Sequence, residues 1–459
     1  MSVPGWCKMA LVFQMPSRVL LISYLFPPAG GVGVLRALSF AKYLPQYGHE
    51  VHVLSALNPS VPTLDPDLLR HIPPQVTLHR AFTPELSFHF RQKLWKLMSP
   101  ARSDPSQPVP ATRTPQTGLK YRLGNLARRF FSPDPEVVWV PFALRQARRI
   151  IRNHGIDTVL VTVPPFSSLM IGTVLKSDFP RVRLISDFRD EWFQFHLSVF
   201  AFHNNSYTLL RAREVESAAV QASDLVLSVV PSIIGQMRGR YPDQPPSKFR
   251  VIYNGFDPDL VAAFRPRPHG TQEVVVTFVG TIYGPSTLRY YLDALDGLPQ
   301  ETRARFKTRL IGRIAEEETA TIESAQSRIE VLGFMSQADT FRMMEESDFL
   351  LLTMTDASCI TGKFFDYIGT CKPMLALTPP SGEVQRMLEE TGAGWWADYR
   401  DPGAIRNLLI RALDAVLSGV VPATPRKVAD RFARPKLAAE LSGLIEALNS
   451  AEPTAARSL

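Results

Sequence analysis

The run Val19-Leu-Leu-Ile-Ser-Tyr-Leu-Phe26 decides the fold class, because a mostly apolar stretch of this length is typical of one buried strand. A loop rich in proline and glycine follows, and then a helical pattern from about Leu35 to Tyr47 that ends at Gly48. Val51-His-Val-Leu-Ser55 has the character of a second strand. This segment therefore predicts a βαβ unit.

The same alternation continues through both halves of the chain. In the first half, helical patterns separate strands predicted at 158–163, 182–186 and 225–229. The proline-rich segment 241–246 is the best candidate for a linker. In the second half, strands are predicted at 249–253, 274–279, 306–311, 329–332, 349–353 and 374–377. Helices that alternate with apolar runs indicate parallel sheets covered on both faces.

The predicted fold is α/β, with two Rossmann-like, doubly wound domains in tandem. Residues 15–240 form the N-terminal domain and residues 247–420 the C-terminal domain, while helices in 421–459 pack back toward the first domain. Sheets of this kind bind ligands at the carboxyl ends of their strands. We therefore expect the functional site in the cleft between the two domains.

The charge of the chain is concentrated in one segment. The net charge is +8, and residues 86–131 contain nine basic residues and one acid, an excess equal to the whole net charge. The remaining body is near neutral, which argues against a surface built for duplex DNA. Three interpretations of this basic segment stay open: a solvated surface insertion, a docking element for an anionic membrane surface, or a nucleic-acid arm.

Cysteine usage excludes two classes of small scaffold. The three cysteines, Cys7, Cys359 and Cys371, form no CxxC pair and no cluster with histidines along the sequence. A disulfide framework and a structural zinc site are therefore not expected, and a reducing compartment fits. No apolar run approaches the roughly 20 residues of a membrane-spanning helix. Met15 is the expected natural start, because a strand follows it almost at once.

Two acidic pairs imitate metal-binding sequences. Asp65-x-Asp67 and Asp257-x-Asp259 each enclose a proline, which is typical of turns. We therefore predict no metal site and no cofactor.

The loop after the first strand has the composition of a phosphate-binding loop. Gly30 and Gly31 let the backbone approach a ligand, and the helix that follows offers free N–H groups to an anion. A dinucleotide fingerprint requires a third glycine where Arg36 stands, and an acid where Ser55-Ala-Leu-Asn58 stands. NAD is therefore not expected. A purely structural turn remains the alternative.

A second candidate element is Asp187-Phe-Arg-Asp-Glu-Trp192, which follows a predicted strand. Asp187 and Asp190 then stand at the edge of the cleft, where a carboxylate can orient or deprotonate a hydroxyl group. The alternative is that Arg189 pairs with one of these carboxylates and only holds the loop together.

The C-terminal half offers two further anion sites. Gly280-Thr281 ends a predicted strand, with Arg289 in the helix that follows. Thr361 can cap a helix that begins near Gly362, and its N-terminal N–H groups with Lys363 form an anion pocket. Asp366, one turn later, would face the same pocket and accept hydrogen bonds from a ribose diol. The alternative is an exposed pair of Lys363 and Asp366.

The order of these motifs resembles glycosyltransferase family 4 (GT-B fold), and especially its surface-polysaccharide members. The matching segments are Phe26-Pro-Pro with Gly30-Gly31 and Arg36, Trp139-Val-Pro, Asp187-Phe-Arg-Asp-Glu-Trp192, Asn254-Gly-Phe-Asp257, Phe278-Val-Gly-Thr281, Gly333-Phe334 and Gly362-Lys-Phe-Phe-Asp-Tyr367. The resemblance implies a nucleotide-diphospho-sugar donor on the C-terminal domain, an acceptor on the N-terminal domain, and metal-independent sugar transfer with retention.

The resemblance assigns donor contacts residue by residue. It implies that Gly30 and Gly31 approach the diphosphate, that Gly280 and Thr281 form the second phosphate loop, and that Asp366 binds ribose. Two departures stand out. The acidic signature of the family is Glu, seven residues, Glu, and here Ser358 fills its first position. Arg289, eight residues past Thr281, is the nearest cation behind the second loop.

The predicted site therefore consists of three catalytic candidates and a donor-binding set. The catalytic candidates are Asp187, Asp190 and Lys363. The donor-binding residues are Gly30, Gly31, Gly280, Thr281, Arg289, Ser358, Gly362, Lys363 and Asp366.

The expected partners are a nucleotide-diphospho-sugar, a glycan or polyprenyl-linked acceptor, and an anionic membrane surface, with no nucleic acid. The expected location is cytoplasmic, on the inner face of the cell membrane. Two rivals remain: a sugar-nucleotide epimerase of the same fold, and a non-catalytic scaffold that binds a nucleotide sugar or lipid.

Overall fold

The computed structural model describes residues 17–61, 64–85, 131–193, 206–265 and 273–450. The proposed start at Met15 and the basic segment, except Phe131, lie outside the described residues. The described chain forms two parallel sheets, one of seven strands and one of six. No helix among the described residues is long and apolar enough to cross a membrane.

The first sheet has the strand order β3-β2-β1-β4-β5-β6-β7, with all neighbours parallel. Its central strands are buried on both faces, which explains their nearly continuous apolar sequences. The strands are β1 (Arg18–Ile22), β2 (Glu50–Ala56), β3 (Thr77–Ala81), β4 (Thr158–Val163), β5 (Arg183–Phe188), β6 (Leu225–Ser228) and β7 (Phe249–Val251).

The second sheet repeats the plan with the order β10-β9-β8-β11-β12-β13. In both sheets the order reverses beside the first strand, which is the doubly wound arrangement predicted from the sequence. The strands are β8 (Val274–Val279), β9 (Phe306–Ile311), β10 (Arg328–Gly333), β11 (Phe349–Thr353), β12 (Met374–Thr378) and β13 (Gly394–Asp398).

Helices connect successive strands and cover both faces of each sheet. In the first half they are α1 (Val32–Tyr43), α2 (Val140–His154), α3 (Ser168–Asp178), α4 (Ser206–Ala222) and α5 (Pro231–Arg240). In the second half they are α6 (Pro258–Val261), α7 (Arg289–Asp296), α8 (Gln300–Arg303), α9 (Glu316–Glu323), α10 (Gln337–Glu345), α11 (Gly362–Thr370), α12 (Glu383–Thr391), α13 (Pro402–Leu417), α14 (Arg426–Ala429) and α15 (Arg434–Ser450).

The strand at 249–253, predicted as the first of the C-terminal sheet, belongs to the other sheet. β7 pairs in parallel with β6, so the N-terminal sheet continues beyond the proline-rich segment 241–246. That segment is the turn between α5 and β7 and does not link the domains. The assignment to the second sheet was wrong, because a three-residue edge strand has too little pattern to reveal which sheet it joins.

The chain crosses between the domains just after β7. Gly255 has a φ of +67°, and a Cβ at this position would collide with Leu437 and with the carbonyl oxygen of Phe432. The next residue, Phe256, donates its N–H to the carbonyl oxygen of Phe432 at 3.0 Å. Asp257 then accepts hydrogen bonds from Lys42 and Tyr43 of α1. Hydrogen bonds therefore join the crossing to α1, near the N-terminus, and to Phe432, just before α15.

The last long helix, α15, returns to the first domain and packs on α1. Leu437, Leu441 and Ile445 join the apolar cluster beneath β1. The amide of Asn449 donates to the hydroxyls of Ser17 and Thr158, at 2.9 and 3.2 Å. The two domains are therefore connected twice, by the crossing after β7 and by this helix.

Candidate active site

Three glycines lie side by side at the carboxyl edge of the second sheet. Gly280, Gly312 and Gly333 follow or end β8, β9 and β10, and all three have positive φ. Gly280 donates its N–H to Ile311, and Gly312 donates to Gly333 at 2.7 Å. A Cβ on Gly312 would collide with the carbonyl oxygen of Gly280. These glycines bring backbone to a surface where side chains would otherwise block a ligand.

Lys363 lies directly above this edge, in the first turn of α11. A Cβ built on Gly280 would stand 3.4 Å from its Nζ, which also lies 4.0 Å from the centre of the Phe278 ring. Within the part of the chain that the structure describes, this buried Nζ has no hydrogen-bond partner. Burial lowers the pKa of Lys363 to about 7. The amine is therefore buried without a hydrogen-bond partner, and a bound anion would supply one.

The start of α11 adds polar groups to the same place. The helix begins at Gly362, as predicted, and nothing lies within 4 Å of a Cβ built on that residue. Thr361 occupies the N-cap position, but its hydroxyl makes no capping bond and is buried without a partner among the described residues. The expected side-chain cap is thus not formed. Free N–H groups, this hydroxyl and Lys363 therefore lie together at the start of the helix, an arrangement that suits an anion.

The carboxylate of Asp366 is buried near Arg434 and Asp257, whereas the side chain of Arg289 is exposed. Burial raises the pKa of Asp366 to about 6, with Arg434 lowering it and Asp257 raising it. At pH 7 this carboxylate is therefore ionised and can accept bonds from a diol. Arg289, at the start of α7, has a side chain 71% exposed and forms an ion pair with Asp293 at 3.8 Å. The suggestion of an exposed Lys363–Asp366 pair does not hold, because Lys363 is buried.

In the first domain, the glycine loop stands open at the beginning of α1. Gly31 has a φ of +94° and nothing within 4 Å of a built Cβ, and Gly30 is half-buried beside it. Arg189 holds this loop in place. Its guanidinium donates to the carbonyl oxygens of Val163, Pro164 and Gly33. The loop is thus fixed by side-chain bonds to backbone and remains accessible to a ligand.

Asp187 is fully buried and belongs to an internal ion pair. Arg36 donates to both of its carboxylate oxygens, at 2.8 and 2.9 Å, and Thr162 donates to Oδ2. The alternative pairing with Arg189 is therefore wrong for Asp187, because Arg36 takes that place. Asp187 holds the end of β5 and α1 together, whereas Asp190, in the segment after β5, lines the cleft.

A narrow crevice of about 20 Å³ separates the domains at this point. Asp190 and Glu191 line it from the first domain, and Asp356, Ser358 and Cys359 from the second. The hydroxyl and N–H of Ser358 both donate to Asp356 Oδ1, at 2.7 and 2.8 Å. The structure thus brings Asp190 and Ser358 into one cleft. The carboxylate of Asp356 lies there too, two residues before Ser358, which stands where the family signature has its first Glu.

Two hydrogen bonds of Ser232, at the start of α5, close the cleft. Its N–H donates to Glu383 at 2.7 Å, and its hydroxyl donates to the carbonyl oxygen of Ser358 at 3.0 Å. Both acceptors belong to the second domain. These bonds hold the two facing edges in contact in this arrangement.

Sequence reasoning missed several residues of the site. Gly312 follows β9 as Gly280 follows β8, so the repeated glycine after a strand was the available signal. Phe334, noted only as part of a motif, has its ring 82% exposed immediately after β10. Asp356, two residues before Ser358, was given no role. No partner was predicted for Arg36, because Asp187 is 151 residues away in the sequence.

Comparisons with known proteins agree with this architecture. The profile described as Glycosyltransferase Family 4 matches residues 100–260. No curated protein matches the chain.

Among solved structures, the chain is similar to HepE of Anabaena in complex with UDP and glucose, with TM-score 0.58 and 16% identity over 93% of this chain and 98% of that one. It is also similar to sucrose-phosphate synthase from Thermosynechococcus elongatus, with TM-score 0.59 and 14% identity over 94% and 99%. A third similar structure is WaaG, a glycosyltransferase involved in lipopolysaccharide biosynthesis, with TM-score 0.57 and 15% identity over 93% and 99%. The predicted GT-B architecture is confirmed.

Proposed function

We propose that this chain is a glycosyltransferase that moves a sugar from a nucleotide-diphospho-sugar to a glycan or lipid-linked acceptor, with retention at the anomeric carbon. The observation that carries the proposal is the buried Lys363 ammonium, which has no hydrogen-bond partner among the described residues and lies beside Gly280 at the end of β8. The family profile and the UDP-containing HepE structure support the same reading.

The donor would lie across the carboxyl edge of the second sheet. The diphosphate binds to Lys363, Gly362 and the N–H groups of α11. Gly280 and Thr281 contact it from the opposite side. Asp366 accepts hydrogen bonds from the ribose diol. The exposed ring of Phe334 offers a face on which the base can stack.

Catalysis consists mainly of stabilising the departing diphosphate. The bond between the anomeric carbon and the phosphate oxygen breaks, the acceptor oxygen bonds to the same face of the sugar, and the leaving phosphate oxygen takes the acceptor proton. Lys363 and the helix amides stabilise the negative charge that develops. Asp190, which lines the cleft, orients the acceptor or stabilises the cationic ring. Asp187, paired with Arg36, supports these groups from behind and is no nucleophile.

The acceptor side of the proposal rests on the basic segment of the sequence. We place the enzyme on the inner face of the membrane, where a polyprenyl-linked acceptor would meet the first domain. Each cation near an anionic surface contributes about 1 kcal/mol. Deleting 91–129 should abolish sedimentation with vesicles rich in anionic lipid while nucleotide binding persists. Sedimentation of the deleted form would reject this placement.

The donor site is tested by titrating UDP and a panel of nucleotide sugars into the full chain by calorimetry. Lys363→Met should weaken diphosphate binding about 10- to 100-fold, because a charge-assisted hydrogen bond contributes about 1.5–3 kcal/mol. Lys427→Met, at an exposed lysine, is the matched control and should bind as the wild type does. Equal affinity in all three proteins would reject this site.

Product analysis separates the proposal from its two rivals. Turnover that requires an acceptor supports a transferase. Conversion of the donor alone would indicate an epimerase, and tight donor binding with no turnover would indicate a scaffold. The scaffold is considered because Ser358 stands where the family signature has its first Glu.

A further inference from the structure

Three histidines that are far apart in the sequence meet on one face of the first sheet. His52 lies on β2, His79 on β3, and His154 in the last turn of α2. In the parallel register Leu54 stands opposite His79, so His52 and His79 are diagonal neighbours on the same face. One ring nitrogen from each histidine lies within 4.8 Å of the other two.

The closest pair already has the spacing of two ligands of one metal ion. His52 Nδ1 and His79 Nε2 are 3.1 Å apart. Two nitrogens bound tetrahedrally at 2.0–2.1 Å from one zinc ion are separated by about 3.3 Å. The His154 ring lies 4.3 Å from the His52 ring, centroid to centroid, and one of its nitrogens lies within 4.8 Å of the ligand atoms of the other two histidines.

A carboxylate orients the buried member of this cluster. Glu50 Oε1 lies 2.9 Å from His52 Nε2, and therefore receives the proton of that nitrogen. The lone pair of Nδ1 is then directed toward His79. Metal-binding histidines almost always donate their second N–H to such an acceptor, which fixes the ring and makes the free nitrogen more basic.

We infer that His52, His79 and His154 form a binding site for a divalent transition-metal ion, with zinc as the occupant. Three imidazole nitrogens are a common zinc ligand set, and a water completes the tetrahedron. The ion would connect β2, β3 and the end of α2, and so stabilise the edge of the first sheet. The cluster lies in the first sheet, away from the proposed donor site, and the inference does not depend on the proposed function.

The proposal departs from the sequence-based exclusion of a zinc site. That exclusion considered only cysteine motifs and clusters along the chain. His52 and His79 are 27 residues apart, and His154 follows 75 residues later. Only the pairing of β2 with β3, and the packing of α2 over them, brings the rings together.

The test uses the full chain, stripped of metal by a chelator and dialysed. Bound zinc is measured by elemental analysis after equilibration with Zn²⁺ alone, and unfolding temperature is followed with and without the ion. We expect close to one Zn²⁺ per chain and a rise in unfolding temperature, because a ligand that binds the folded state stabilises it by mass action. Co²⁺ in its place should show the visible absorption of a tetrahedral site.

Variants decide whether these three residues hold the ion. His79→Gln and His154→Gln should lose the bound zinc and its effect on unfolding temperature, whereas His71→Gln, at an exposed histidine, should retain both. Glu50→Gln should weaken zinc affinity about 10- to 100-fold while the ligands remain. Zinc bound equally by His79→Gln, His154→Gln and the wild type, or no zinc bound by a folded wild type, would overturn the inference.

Discussion

Two buried cations, Arg36 in the first domain and Lys363 in the second, have opposite surroundings. Arg36 makes four hydrogen bonds, two to Asp187 and two to the carbonyl oxygens of Ile252 and Tyr253, at 2.8–2.9 Å. The pair is almost inaccessible, with side chains 3% and 0% exposed. Lys363 contacts the face of Phe278 and makes no hydrogen bond within the described residues.

The difference distinguishes a charge that maintains the fold from a charge that, in the proposed function, binds a ligand. Arg36 connects the first helix, the end of β5 and the segment just after β7, so its bonds fix the shape of the cleft from inside. Lys363 costs stability as it stands, since a buried charge without a partner is unfavourable. Groups of this kind with shifted pKa values concentrate at functional sites.

The largest expected effect on stability comes from breaking the ion pair of Arg36 and Asp187. Asp187→Ala leaves Arg36 buried without its carboxylate, and should lower the free energy of unfolding by about 3–5 kcal/mol, measured by urea denaturation. Arg36→Met with Asp187→Leu should recover much of the loss, because no charge then stays buried. A single variant within about 1 kcal/mol of wild type would show that the pair is not needed for stability.

The next effect concerns the titration of Lys363. Its pKa is lowered from 10.5 to about 7, so between these values the unfolded chain binds more protons than the folded one. Stability therefore rises with pH in this window, by about 2 kcal/mol from about pH 7.5 to pH 9, at a limit near 1.4 kcal/mol per unit. Lys363→Met should be more stable than the wild type near pH 6, and the gap should shrink toward pH 10.

The same pKa makes ligand binding proton-linked. A diphosphate beside Lys363 favours its charged form, so binding of a nucleotide sugar, whose doubly esterified diphosphate has no proton to lose near neutral pH, should take up close to one proton at about pH 8.5. Calorimetry in buffers of different ionisation enthalpy measures this uptake. Near pH 6 it should vanish, and in Lys363→Met it should be absent at both pH values. Uptake that is unchanged in the variant would assign the proton to another group.

The smallest expected effect belongs to an exposed cation, Arg289. Its ion pair with Asp293 lies at the surface, so Arg289→Ala should change the free energy of unfolding by less than about 0.5 kcal/mol. If Arg289 assists the donor phosphates, affinity for UDP should fall, but less than in Lys363→Met. Asp293→Ala, which removes only the partner, is the control. A larger loss than in Lys363→Met would move the main phosphate contact to α7.

The local features of the chain were readable from its sequence. Alternating apolar runs and helical patterns predicted two doubly wound domains, because strand and helix periodicities depend on neighbouring residues. Glycines after strands and a lysine at the start of α11 indicated the proposed donor edge for the same reason. Gly362 as the first residue of that helix followed from the preceding threonine and the apolar spacing behind it.

Only the tertiary structure decided which distant groups meet. It placed β7 in the first sheet and paired Asp187 with Arg36 instead of Arg189. It also brought His52, His79 and His154 close together. Each outcome depends on strand order and helix packing over tens to hundreds of residues, and no local pattern encodes those distances. Residue types and their spacing along the chain thus specified the elements, whereas the packing of those elements specified the partners of each buried charge.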